Sequence, residues 1–174
     1  MKVHTAGRIR MVAVALLLFA AAATPAAAAA DNGRSGALST PWNWKNANGM
    51  KCLEIPGGST AYAAAAAQRT CDGTNWQLWV NEVSGKLTEI RNHHSGMCLD
   101  AANGSTADGA IIAQRTCNGM KWQKWRAFFD NSSGAYQIVN EHSQKCLEVL
   151  GGSTADGASV VQSSCYGTPS QYWF

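Results

Sequence analysis

Six cysteines, at positions 52, 71, 98, 117, 146 and 165, are the residues best placed for covalent chemistry in this 174-residue sequence. An even count admits two readings, disulfide bridges or a metal site. Spacing argues against zinc, because no Cys-x-x-Cys occurs and no two histidines stand at helical separation. No catalytic constellation accompanies them. His93, His94 and His142 fall in turn-like stretches before a cysteine. The acidic residues are not paired for acid–base work, and no serine stands in a Gly-x-Ser-x-Gly setting. The residues therefore point away from an enzyme, and no cofactor or metal is expected.

Charge narrows the partners. The formal net charge is +3, from 14 Lys and Arg against 11 Asp and Glu. Three of the basic residues, Lys2, Arg8 and Arg10, precede the apolar run Met11–Ala23, and Ala28-Ala29-Ala30 follows it. A basic start, a short apolar stretch and small residues before a cleavage point form an export signal. The run is shorter than the roughly 20 residues that span a bilayer. We expect a signal over 1–30, cleavage after Ala30, and a secreted chain with no membrane association afterwards. Without the signal, 11 basic residues face 11 acidic ones. A neutral chain lacks the basic stripe of a general nucleic-acid binder. Lys121, Lys124 and Arg126 cluster, and read as a solvated strand face.

The elements that position these residues follow from a repeat. Each cysteine pair is separated by 19 positions, and successive first cysteines by 46 and 48. A fixed period of this length marks repeated structural units. Asn46, Asn92 and Asn140 each stand six residues before the first cysteine of a copy. Every copy closes on Gln-x-Trp: Gln77 and Trp79, Gln123 and Trp125, Gln171 and Trp173. Short apolar segments such as Ala110–Gln114 are separated by Gly-Gly-Ser-Thr, Asn-Gly-Ser-Thr and Asp-Gly turns. This punctuation predicts short strands in an all-β sandwich or barrel. Ala63–Ala67, although rich in alanine, matches strand segments of the other copies and is read as strand. Trp79, Trp125 and Trp173, with Leu53, Leu99 and Leu147, are the expected core.

Three Gln-x-Trp copies in register with three cysteine pairs resemble the ricin B-type lectins, also known as family 13 carbohydrate-binding modules. The resemblance covers Trp42 to Phe174. It implies a β-trefoil with pseudo-threefold symmetry and one disulfide within each copy: Cys52–Cys71, Cys98–Cys117 and Cys146–Cys165. The expected organisation is a signal at 1–30, a flexible leader at 31–41, and a lectin domain at 42–174. Its repeats cover about 42–83, 84–130 and 131–174.

The resemblance also implies a non-catalytic, carbohydrate-binding monomer. A sugar site needs carboxylates and amides for hydroxyl pairs and an aromatic face for the apolar side of the ring. The family's acidic residue after Cys-Leu is here Glu54, Asp100 and Glu148. The family's aromatic residue two positions before the second cysteine is replaced by Arg69, Arg115 and Ser163. The family's Asn before the Gln of Gln-x-Trp is replaced by Trp76, Trp122 and Ser170. The candidate binding residues are therefore Asp100, Arg115, Trp122 and Gln123 in copy two, and Glu54, Arg69, Trp76 and Gln77 in copy one. The tryptophans would supply the stacking face and the arginines would donate to sugar oxygens, including those of an acidic sugar. Copy three is expected to be silent. The alternative is a trefoil scaffold with degenerate sugar pockets that binds a protein partner.

Overall fold

The computed structural model describes residues 40–174 together with Met1. The expected export signal, and the leader up to residue 39, lie outside the described residues. Among the described residues there are eleven strands: β1 (Cys52–Glu54), β2 (Ala67–Arg69), β3 (Trp79–Ser84), β4 (Leu87–Asn92), β5 (Cys98–Ala101), β6 (Ala110–Arg115), β7 (Lys124–Asp130), β8 (Ala135–Asn140), β9 (Cys146–Val149), β10 (Val160–Ser163) and β11 (Tyr172–Trp173). All pairings are antiparallel. The ladder β4-β5-β6-β10-β9-β8-β7 returns to β4, which leaves no open edge on that path. β3 adds to β4, and β11 to β8. The β1–β2 pair joins through single bridges, among them Lys45 with Cys52 and Ala67 with Ser159. This is a β-trefoil.

The repeat places equivalent residues in equivalent surroundings. Cys52, Cys98 and Cys146 start strands β1, β5 and β9, and each is fully buried. The three disulfides join Cys52 to Cys71, Cys98 to Cys117 and Cys146 to Cys165. Leu53, Leu99 and Leu147 are buried beside Trp79, Trp125 and Trp173. A buried indole needs an acceptor. Each Nε1–H finds one in the leucine carbonyl of its own copy, at 2.9, 3.1 and 3.0 Å. Burial of each leucine is worth about 1.5–3 kcal/mol.

Three buried glutamines close the threefold ring. Gln114 donates through Nε2 to the carbonyls of Ser59 and Ala61 in the preceding copy. Gln162 donates to Ser105 and Ala107. Gln68 donates to Ser153 and Ala155, which returns from copy one to copy three. Each copy thereby satisfies the turn carbonyls of its neighbour.

Two local expectations change. The strand expected at Ala63–Ala67 starts only at Ala67, with a lone bridge from Ala65 to Ala113. Ala63 has φ of +63°, which breaks the extended run. The cationic cluster is not simply solvated. Lys124 pairs with Glu89 at 3.1 Å and Arg126 with Glu141 at 2.7 Å, while Lys121 lies in the turn before β7.

Candidate functional site

Copy two brings Asp100, Arg115 and Gln123 together. Asp100 stands on β5 and Arg115 ends β6, and the antiparallel register pairs Asp100 with Ala113, two residues before Arg115. Residues two apart on a strand share a face, so the arginine reaches back over the carboxylate. Gln123 enters from the turn before β7. Its Nε2 donates to Asp100 Oδ2 at 2.9 Å and to the Thr116 carbonyl at 3.0 Å. Its Oε1 accepts from the Asn118 amide at 2.8 Å.

The other carboxylate oxygen differs. Asp100 is fully buried, yet its Oδ1 makes no hydrogen bond, and neither does Arg115 Nε. The two atoms lie 3.4 Å apart as an ion pair. Burial pushes the Asp100 carboxyl above its ordinary range, opposed by the Gln123 amide and the Arg115 charge. Arg115 Nη1 donates to the Tyr62 hydroxyl at 3.0 Å, and its guanidinium carbon lies 5.1 Å from the Tyr62 ring centre.

Copy one repeats the arrangement with a longer acid. Arg69 Nε donates to Glu54 Oε1 at 2.9 Å, and Gln77 Nε2 to Glu54 Oε2 at 3.2 Å. The hydrogen bond from Arg69 and its charge partner Glu54 raise the arginine further above its usual value. In copy three, Gln171 Nε2 donates to Glu148 Oε2 at 2.8 Å. Ser163 offers no cation there, and Ser170 is buried against Thr168 Oγ1.

The structure thus unites the acid, arginine and glutamine of copies one and two. It assigns the two tryptophans different surroundings from those expected of an open stacking face. A Cβ on Gly58 would meet the Trp76 ring at 2.8 Å, and one on Gly104 the Trp122 ring at 3.1 Å. Both glycines have positive φ, so each turn needs glycine on two counts. Each indole also meets an imidazole edge-on, His94 for Trp76 and His142 for Trp122, with centroids 6.0 and 5.9 Å apart. Trp122 also packs on the core. Among the described residues there is no group of three or more metal-ligating side chains.

The sequence reading missed Tyr62. It is 63% exposed and lies in the turn of copy one, but touches Arg115 of copy two. The available signal was the comparison of Tyr62-Ala63 with Asp108-Gly109 and Asp156-Gly157 at the same place in the other copies.

A family model described as ricin-type beta-trefoil lectin domain-like matches residues 35–115, 75–163 and 121–174. The chain belongs to the ricin-type β-trefoil lectin family. Solved structures similar to the chain include the designed threefold-symmetric protein ThreeFoil, at 34% identity and TM-score 0.74. That match covers 76% of this chain and 95% of ThreeFoil. An exo-β-1,3-galactanase from Clostridium thermocellum is also 34% identical, with TM-score 0.74, over 78% of this lectin-family chain but 29% of the enzyme. The ricin B-like lectin of Macrolepiota procera, solved with lactose, shares the fold at 19% identity and TM-score 0.67, over 77% and 92% of the two chains. No curated protein matches this sequence.

Proposed function

We propose that this lectin-family chain is a secreted, non-catalytic carbohydrate-binding protein, and that copy two carries its principal site. The observation that carries the reading is Asp100: a fully buried carboxylate with one oxygen lacking a hydrogen bond, covered by Arg115. Unsatisfied buried oxygens are costly, and a sugar hydroxyl approaching alongside Arg115 would supply the missing donor. The lactose-bound Macrolepiota lectin and the galactanase support a saccharide as the ligand class. Three disulfides suit an oxidising, extracellular setting.

The roles divide by geometry. Asp100 and Arg115 are the groups that meet the sugar. Gln123 and Trp122 are positioning residues, one fixing the carboxylate and the other bracing the turn at Gly104. Glu54, Arg69, Trp76 and Gln77 form a weaker second site, in which Glu54 already accepts from both Arg69 and Gln77. Because both arginines face carboxylates of their own copies, neither is a free cation for an acidic sugar, and the preferred ligand is neutral. The domain runs over 42–174, after an export signal at 1–30 and a leader at 31–41. The test is binding to immobilised neutral polysaccharide: Arg115→Ala should weaken it at least about tenfold while Glu148→Gln leaves it unchanged. Equal retention of both variants would remove copy two from the reading.

A protein partner is the second reading, favoured by an apolar patch. Exposed Val83 and Tyr136 line a cavity of about 220 Å³ together with Trp44, Ile90 and Trp125, and exposed Phe129 packs edge-on against Tyr136. Binding that survives deglycosylation of a captured target would favour it.

A further inference from the structure

The three seams between copies are not alike. At two of them a turn aspartate reaches across and is gripped by the next copy. Asp108 takes the Ser164 amide at 2.7 Å and Lys145 Nζ at 2.7 Å. Asp156 takes the Thr70 amide at 2.8 Å and Lys51 Nζ at 2.6 Å. In each case glycine follows the aspartate at positive φ, 74° at Gly109 and 80° at Gly157. Its amide bonds the neighbouring glutamine carbonyl, Gln162 or Gln68.

At the remaining seam, between copies one and two, all three parts of the clamp are changed. Tyr62 stands for the aspartate, Ala63 for the glycine, and Met97 for the lysine that precedes the first cysteine. Ala63 keeps the backbone course, with φ of +63° and its amide on the Gln114 carbonyl at 2.9 Å. A non-glycine residue in this region is strained, and such strain gathers at binding sites. The replacement side chain is also an apolar ring held out in solvent. Tyr62 is 63% exposed, fixed at its hydroxyl by Arg115 Nη1 and backed by the guanidinium. Arg115 is itself held against Asp100, whose Oδ1 and the facing Nε make no hydrogen bond.

We propose that this seam is a single, inter-repeat sugar-stacking site, with Tyr62 of copy one as the aromatic platform for a neutral pyranose seated beside Arg115 of copy two. The inference rests on the carbohydrate reading and deepens it. Stacking on a ring already fixed at both its hydroxyl and its face costs little ordering entropy. Arg115 uses Nη1 on the tyrosine and keeps its side chain partly exposed, so the guanidinium edge lies within reach of a ring hydroxyl. Its charge is balanced by Asp100, which favours a neutral ring over a carboxylated one. The other two seams present a salt-bridged aspartate instead of a ring, so the chain holds one such site, not three.

The test is calorimetric titration of the oxidised protein with a panel of methyl pyranosides (galactoside, glucoside, mannoside, xyloside) and with galacturonate as the charged arm. The expected result is about one site per chain for at least one neutral glycoside. Tyr62→Ala should weaken that binding about tenfold or more, and Tyr62→Phe, which keeps the ring, by less than about fivefold. Tyr166→Ala, at an exposed tyrosine outside the seam, should change nothing. The double variant Tyr62→Asp with Ala63→Gly restores the turn sequence of the other seams and should abolish binding while remaining folded. Neutral binding that survives Tyr62→Ala, or three equal sites, overturns the seam inference and leaves the carbohydrate reading standing. Galacturonate binding tenfold tighter than every neutral glycoside overturns the neutral class. No binding in any arm overturns the seam inference, and the carbohydrate reading falls separately if polysaccharides and a glycan array are also blank.

Discussion

Replacing Gln123 by alanine should lower folding stability by about 3–5 kcal/mol. The side chain is fully buried and makes three hydrogen bonds. The bond to the Asp100 carboxylate has a charged acceptor and is worth about 1.5–3 kcal/mol. The bonds with the Thr116 carbonyl and the Asn118 amide add about 1 kcal/mol each. Asp100 would then be buried with neither oxygen hydrogen-bonded, so the upper end of the range is expected. For a domain of this size the change corresponds to a fall in Tm of roughly 10–20 °C. The assay is urea unfolding of oxidised protein followed by tryptophan fluorescence, with an unchanged m-value as the check that the same surface is exposed. Gln123→Glu supplies a second arm. It sets a second carboxylate against Asp100, so its deficit should shrink as pH falls from 7 towards 4, where one carboxyl takes a proton. A loss under about 1 kcal/mol for Gln123→Ala would refute the structural role assigned here to the glutamine of Gln-x-Trp.

Other consequences follow from the same contacts. Stability should be flat above about pH 5 and fall between about pH 4 and 2, because Asp156 and Asp130 are each held down to about 2 in the folded state from an ordinary 3.8. Lys51 is the main cause for Asp156 and the Ser132 hydroxyl for Asp130. A lowered carboxyl stabilises the fold above its unfolded value, and that contribution is lost as pH drops through the folded value. Asp100, raised by burial, works the other way and offsets part of the loss. Asp156→Asn should flatten the acid limb of the pH–Tm curve, and an unchanged limb would contradict the assignment. Removing the Cys98–Cys117 bridge by paired serine substitutions should cost about 3 kcal/mol, as expected for a loop of this length, measured by the same urea titration. Ala63→Gly should raise Tm slightly, since relief of the left-handed alanine outweighs the added freedom of the unfolded chain; a fall in Tm would show that Ala63 is not strained.

The fold was legible because it is written three times. The cysteine period, the Gln-x-Trp endings and the paired leucines each mark a residue that the threefold core requires, and each stands where expected. The acid–arginine–glutamine groupings of copies one and two were legible for the same reason. What the sequence did not reveal was how those groups are engaged. Two residues apart on a strand is enough to bring Arg115 over Asp100, but only the side-chain geometry shows the arginine paired within its own copy. Trp76 and Trp122 read as free aromatic faces until Gly58 and Gly104 are seen beneath them. Tyr62 escaped notice because its partner lies 53 positions away, across a copy boundary that a repeat-by-repeat reading does not cross.

Carbohydrate binding itself is tested most directly by a glycan-array screen of the oxidised protein, with neutral and uronic-acid glycans side by side and free sugar as competitor. Competable binding to neutral pyranosyl glycans is the expected result, lost in Arg115→Ala and Tyr62→Ala. A blank array from folded protein with all three disulfides intact would contradict it and leave the apolar patch around Val83 and Tyr136 as the surface to pursue.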